Sequence, residues 1–187
     1  MDAFLVSTGL VAIAEIGDKT QLLAMLLAAR FRRPAPIILG ILIATLANHA
    51  LAALVGVAAG QFLQGPWLRW LLGGAFLAFA AWALIPDSFE DKDAPRDRAG
   101  ASIFLTTLVA FFLVEMGDKT QVATVALAAK FHQVLWVAAG TTLGMMIANV
   151  PAVYLGEAVA GRLPLRHIRW VAAASFASIG VWVLVWG

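Results

Sequence analysis

Glu15-Ile16-Gly17-Asp18-Lys19-Thr20-Gln21 and Glu115-Met116-Gly117-Asp118-Lys119-Thr120-Gln121 are nearly the same heptapeptide, and each lies inside an apolar run long enough to cross a bilayer. Together they put four carboxylates and two ammonium groups where charge is expensive. A central Asp or Lys costs roughly 2.5–3.5 kcal/mol on insertion scales, so such groups persist where they line a polar cavity or an ion path. Residues three and four apart share a helical face, which gathers Glu15, Asp18 and Lys19, and likewise Glu115, Asp118 and Lys119. Gly17 and Gly117 let a backbone or an ion come close, or let the helix loosen so that carbonyls coordinate. Thr20, Gln21, Thr120 and Gln121 add hydroxyl and amide oxygens, and Asn48, His49 and Asn149 sit in the centres of two other apolar runs.

The charges do not balance: four carboxylates against two ammonium groups leave a deficit of two positive charges. One divalent cation or two protons would fill it. Carboxylates converging in a low-dielectric space cannot all stay ionised when empty and must titrate as a coupled group, so cation entry should expel protons. All-oxygen donors suit Ca²⁺, Mn²⁺ and Mg²⁺ rather than copper, zinc or nickel. His49, His132 and His167 are too scattered in sequence to suggest a site for the latter. Met116, Met145 and Met146 offer thioethers, a residue type that more often serves packing. Ion pairing alone is the competing account of the motifs, and a poor one, because buried pairs stabilise less well than apolar packing.

The elements that must position these groups read as membrane helices. Of 187 residues 62% are hydrophobic and only 13% charged, and the chain has no cysteine. This composition excludes an ordinary soluble domain, a disulfide framework and a Cys nucleophile. The net charge of +2 gives no footing for nucleic acid. Met1-Asp2-Ala3-Phe4 has no positive n-region, so the first run is read as a retained helix rather than a signal peptide. Six apolar runs, approximately 3–29, 37–62, 68–85, 103–129, 134–159 and 168–186, meet or approach the ~20 residues a spanning helix needs. Prolines 34, 36, 66, 86 and 164 fall in the links, and Pro151 inside the fifth run suggests a kink. Trp67, Trp70, Trp136, Trp170, Trp182 and Trp186 read as interfacial anchors, and Glu157 as a headgroup-level residue.

The halves repeat without a gap: Ala28-Ala29-Arg30-Phe31 matches Ala128-Ala129-Lys130-Phe131, Gly40 matches Gly140, Arg69-Trp70 matches Arg169-Trp170, and Trp82 matches Trp182. His49 pairs with Asn149 in this register. The expected fold is therefore an all-α integral membrane protein of six transmembrane helices. Residues 1–86 form one three-helix repeat, 87–100 a charged cytoplasmic linker, and 101–187 a second repeat inverted by the odd helix count, with the site at the repeat interface. Arg30, Arg32, Arg33, Lys92, Arg96, Arg98, Arg162, Arg166 and Arg169 would lie on one face and Arg69 and Lys130 on the other. The positive-inside rule then leaves both termini outside the cytoplasm. Abundant Ala and Arg point to a bacterial inner membrane.

Duplicated Glu-x-Gly-Asp-Lys-Thr segments in a six-helix chain of this size resemble the small cation/proton antiporters called uncharacterised protein family sixteen. These include Golgi calcium/manganese:proton antiporters and bacterial manganese exporters. The resemblance covers essentially the whole chain and implies that Glu15, Asp18, Glu115 and Asp118 bind the cation and protons. Gly17, Lys19, Thr20, Gln21, Gly117, Lys119, Thr120, Gln121, Asn48 and Asn149 would support them. It implies export of Mn²⁺ or Ca²⁺ against protons, no cofactor and no enzyme activity. The partners are membrane lipid and the cation itself, and the chain stands as monomer or homodimer. The alternative on a related fold is an exporter of a basic amino acid or another cation. An intramembrane aspartyl protease fits poorly, because a dyad shares a proton and would not carry an ammonium group beside each Asp. A passive assembly subunit would tolerate neutral carboxylates.

Overall fold

Every element in the described residues of the computed structural model, 1–62, 65, 67–85, 102–155 and 165–186, is helical. The linker 87–100 and Glu157 lie outside them. Eight helices are described: α1 Asp2–Glu15, α2 Lys19–Phe31, α3 Pro34–Phe62, α4 Leu68–Ala83, α5 Ile103–Glu115, α6 Lys119–Phe131, α7 Val134–Leu155 and α8 Leu165–Trp186. The excess over six arises because the first and fourth apolar runs each break in the motif. At 14 and 13 residues, α1 and α5 are about 20 Å long and reach only part-way across a hydrocarbon core of ~30 Å. Pro34 and Pro36, expected in a link, instead open α3, where the missing N–H belongs to the unpaired first turn and φ is already set for a helix.

The packing recurs in pairs. α1 lies along α7 as α5 lies along α3, α3 meets α6 as α7 meets α2, and α4 packs on α8. Small residues permit these approaches. A Cβ on Gly140 would come within 2.6 Å of the Phe4 carbonyl oxygen, one on Gly144 within 2.6 Å of that of Thr8, and one on Gly40 within 3.0 Å of that of Phe104. In a bilayer, where lipid tails are as apolar as Leu, such van der Waals fit is what holds helices together.

Burial is arranged accordingly. Glu15, Glu115, His49 and Asn149 are fully buried, whereas Leu135, Trp136, Trp170, Leu54 and Val55 are more than half exposed. A polar centre inside an apolar exterior suits a lipid solvent. The six tryptophans read as anchors are all exposed to a large degree. Two apolar clusters flank the centre. One joins α4 and α8 through Phe76, Phe79 and Phe176 to Ala126, Leu127, Ala128 and Ala129 of α6 and Leu10 of α1. The other joins Leu23, Leu27, Ile37, Ile41, Phe111 and Val153 and contains no residue of α4 or α8.

Gly144→Val forces α1 off α7, because the new side chain meets backbone rather than a movable side chain. The expected loss is about 1–3 kcal/mol, read as a lower melting temperature in detergent. Gly74→Ala, which meets nothing within 4 Å inside α4, does not lower the melt.

Candidate functional site

Each motif builds a helix end followed by a helix start. α1 ends at Glu15 and α5 at Glu115; Ile16 and Met116 are extended, and Gly17 and Gly117 take φ of 83° and 79°, the left-handed region that glycine enters without steric penalty. Asp18 and Asp118 then stand at the N-caps of α2 and α6, with the Asp118 carboxylate accepting from the Thr120 N–H at 3.4 Å. Glu15 and Asp18 are therefore neighbours across a break, not on one continuous helical face as the spacing suggested. The glutamines explain how the break is held. Gln21 Oε1 accepts from Gly17 N–H at 2.8 Å and Gln121 Oε1 from Gly117 N–H at 2.6 Å, so backbone donors exposed by the break are satisfied inside the membrane. Gln21 Nε2 donates to the Ala148 carbonyl at 3.1 Å, and Gln121 Nε2 donates to Asn48 Oδ1.

The two breaks meet. Ligand-capable oxygens of Glu15, Asp18 and Asp118, all buried, lie within 4.8 Å of one another. A cation with bonds of about 2.2–2.4 Å spans about that distance between opposite ligands. Lys19 Nζ lies 3.2 Å from Asp118 Oδ1, so the first motif's ammonium group pairs with the second motif's carboxylate. Thr20 Oγ1 donates to Glu15 Oε2 at 2.7 Å; Thr120 Oγ1 lies 3.4 Å from both Glu115 Oε2 and Asp118 Oδ2. Glu115 Oε2 is 3.8 Å from His49 Nε2. Among the described residues, Glu15 Oε1, Glu115 Oε1, both ring nitrogens of His49 and Asn149 Oδ1 are buried without a hydrogen-bond partner. Such atoms are costly unless something else coordinates or protonates them.

Three carboxylates thus converge, Glu115 is joined to Asp118 through Thr120, and the glutamines brace the two breaks. Lys119 is buried and lines a small cavity with Gly17 and Asp18; its Nζ also donates to the Ile85 carbonyl at 3.3 Å and lies 5.9 Å from the Trp82 ring. Asn48 donates to the Phe112 carbonyl at 3.4 Å and supports Gln121, whereas Asn149 Nδ2 donates to Met145. Met116 is 58% exposed and points away. Sequence reasoning under-weighted Arg169. Read as a link residue, it sits inside α8 and lines a small cavity with Gly17, Asp18, Lys119 and Phe176.

The two motifs are not equally covered. α8 packs along α1 and α4 along α6, without comparable packing of α4 on α5 or α8 on α2. Ile16 and Gly17 are half-buried while Met116 and Gly117 are exposed. Ala126 and Ala129 of α6 are buried, while their repeat mates Leu26 and Ala29 of α2 are exposed. Lys130 sits 4.9 Å from the Trp182 ring at the far end of the covered half.

Residues 3–91 and 103–187 match the family described as divalent cation/proton antiporter GDT1. The chain is 49% identical over 177 residues to a Vibrio cholerae protein named "Putative manganese exporter", covering 94% of this chain and 87% of that one. It is 29% identical over 198 residues to a GDT1-like protein of Synechocystis, covering 94% and 93%, and 24% identical over 218 residues to GDT1-like protein 5 of Arabidopsis thaliana, covering 97% and 94%. No solved structure matches it.

Proposed function

We propose that this chain, which belongs to the GDT1 family of divalent cation/proton antiporters and is an integral membrane transporter rather than an enzyme, exports Mn²⁺ in exchange for protons through the carboxylates of its two helix breaks. The observation that carries this reading is the meeting of Glu15, Asp18 and Asp118 within 4.8 Å, beside Glu115, in a centre with two lysines. Repulsion and desolvation forbid an empty, fully ionised set. One divalent ion or two protons restores neutrality, so the two cargoes compete for the same oxygens. The Vibrio relative's name supplies the choice of Mn²⁺.

Alternating access follows from the repeats. In our reading residues 1–86 and 101–187 are three-helix units of inverted topology joined by the linker 87–100, and the α4–α8 pair closes one half of the path at a time. Coverage of α1 and α6 but not of α2 and α5 supports this, because chemically equivalent surfaces differ only in whether that pair lies on them. The other state exchanges the contacts: Trp182 beside Lys130 gives way to Trp82 beside Arg30. The basic links make the open side the cytoplasm, with both termini outside and the protein in a bacterial inner membrane. The cargo and the surrounding lipid are the only partners this reading requires.

In sealed vesicles with an imposed pH gradient, Glu15→Gln and Asp118→Asn each reduce Mn²⁺ exchange by at least about a hundredfold while the protein stays folded and inserted. Mn²⁺ binding to the unaltered protein weakens as pH falls, because protons take the ligand oxygens. Full exchange by both amide variants would reject the shared site. The absence of cysteine gives a clean background for access. Cysteine pairs at Lys130/Trp182 and at Arg30/Trp82 both cross-link during turnover, each cross-link stopping exchange, and a single cysteine at Ser88 reacts only from the cytoplasmic side. An Arg30/Trp82 pair that never cross-links, or labelling of Ser88 from outside, would contradict this arrangement.

A further inference from the structure

His49 breaks the symmetry of the centre. Its repeat mate is Asn149; the Asn149 amide nitrogen donates to Met145, and its amide oxygen is buried without a hydrogen-bond partner among the described residues. His49 is 0% exposed, on the middle of α3, and neither ring nitrogen has a hydrogen-bond partner among the described residues. Its Nε2 faces Glu115 Oε2 at 3.8 Å, too long for a hydrogen bond. Two donors bound to one cation at about 2.2 Å, and 90–120° apart, lie about 3.1–3.8 Å from each other. The same Glu115 oxygen is linked through Thr120 Oγ1 to Asp118, a member of the carboxylate cluster. A fully buried imidazole with both nitrogens orphaned, one of them aimed at a carboxylate of the site, is a ligand position rather than a packed core residue.

From this geometry we infer that His49 supplies a nitrogen ligand to the transported ion and is the residue by which the site prefers Mn²⁺ to Ca²⁺ and Mg²⁺. The inference rests on the Mn²⁺/proton reading above and deepens it. Ca²⁺ and Mg²⁺ are hard cations that take oxygen ligands, so an imidazole in their shell replaces a better donor. First-row divalent transition metals accept nitrogen, with affinity rising from Mn²⁺ onward. One imidazole among carboxylates gives Mn²⁺ a donor its competitors cannot use well, without building the multi-histidine or thiolate site that would hold zinc or copper too tightly to release. The second repeat cannot do this, because Asn149 has only an amide to offer.

The test uses the purified full chain in detergent or nanodiscs, loaded with Mn²⁺ alone. Pulsed electron paramagnetic resonance of the bound ion reads directly coordinated ¹⁴N without any transport assay. The protein as it stands gives a ¹⁴N coupling of the imidazole type, and His49→Asn, which only makes the position match its repeat mate, loses it. Equilibrium binding then gives a Mn²⁺-over-Ca²⁺ affinity ratio about tenfold lower in His49→Asn, with Ca²⁺ affinity unchanged or improved. His49→Gln, which keeps more of the side chain's reach, behaves the same way. Bound Mn²⁺ without ¹⁴N coupling overturns the inference while leaving the carboxylate site intact. Equal loss of Mn²⁺ and Ca²⁺ binding in a monodisperse variant makes His49 a scaffold for Glu115 and also overturns it. Absence of any Mn²⁺ binding removes the Mn²⁺ reading and this inference together.

Discussion

Four carboxylates brought together inside a membrane protein cannot be left to themselves, and the surrounding architecture answers to that constraint. Lipid supplies neither water nor counter-ions, so buried carboxylates need partners that the protein itself arranges. The broken helices bring those groups together. Ending α1 and α5 at Glu15 and Glu115 and restarting at Asp18 and Asp118 turns two capping carboxylates and two terminal ones toward one centre. The N-termini of α2 and α6 bring the positive ends of two helix dipoles to the same place.

Breaking a helix inside a bilayer exposes backbone groups that lipid cannot solvate. Gln21 and Gln121 close that gap locally, each accepting from the glycine N–H four residues earlier and tying the break to a neighbouring helix. Glycines at the α1–α7 and α3–α5 crossings let α7 and α3 press against the helices that lead into the motifs without intervening side chains. The α4–α8 pair is a different kind of element. Phe79 of α4 meets Phe176 of α8 edge-on at a ring-centroid distance of 6.0 Å, with Phe76 packed on Phe79 from the same helix at 6.1 Å, and the pair covers one half of the centre. An aromatic unit cohesive in itself and lopsidedly docked is suited to moving as a body.

Much of this was legible in the sequence for definite reasons. The hundred-residue register made Glu15 and Glu115, Asp18 and Asp118 visible as equivalents, and apolar runs that carried charge marked a site rather than a signal of cohesion. What could not be read was the backbone inside the motif. A helical period places Glu15, Asp18 and Lys19 on one face, and only Gly17 hints that the chain leaves the helix there. The pairing of Lys19 with Asp118 of the other motif depends on a long-range contact that no local pattern encodes. Arg169, counted with the basic face although it falls at the start of the sixth apolar run, sits in the first turns of α8 beside Asp18, a placement that charge counting does not reveal. His49 was visible as a polar residue at the centre of an apolar run, but its isolation from His132 and His167 spoke only against a multi-histidine site and left its own part in the centre open.

The central claim is that one buried set of carboxylates holds either a divalent ion or protons, and counting protons at the moment of binding tests it most directly. Titrating Mn²⁺ into the purified protein at fixed neutral pH, in buffers of different ionisation enthalpy, measures how many protons leave per ion bound. The charge balance of four carboxylates against two lysines predicts release of about two protons per Mn²⁺, fewer as pH rises. Saturable Mn²⁺ binding with no proton release at neutral pH would contradict it.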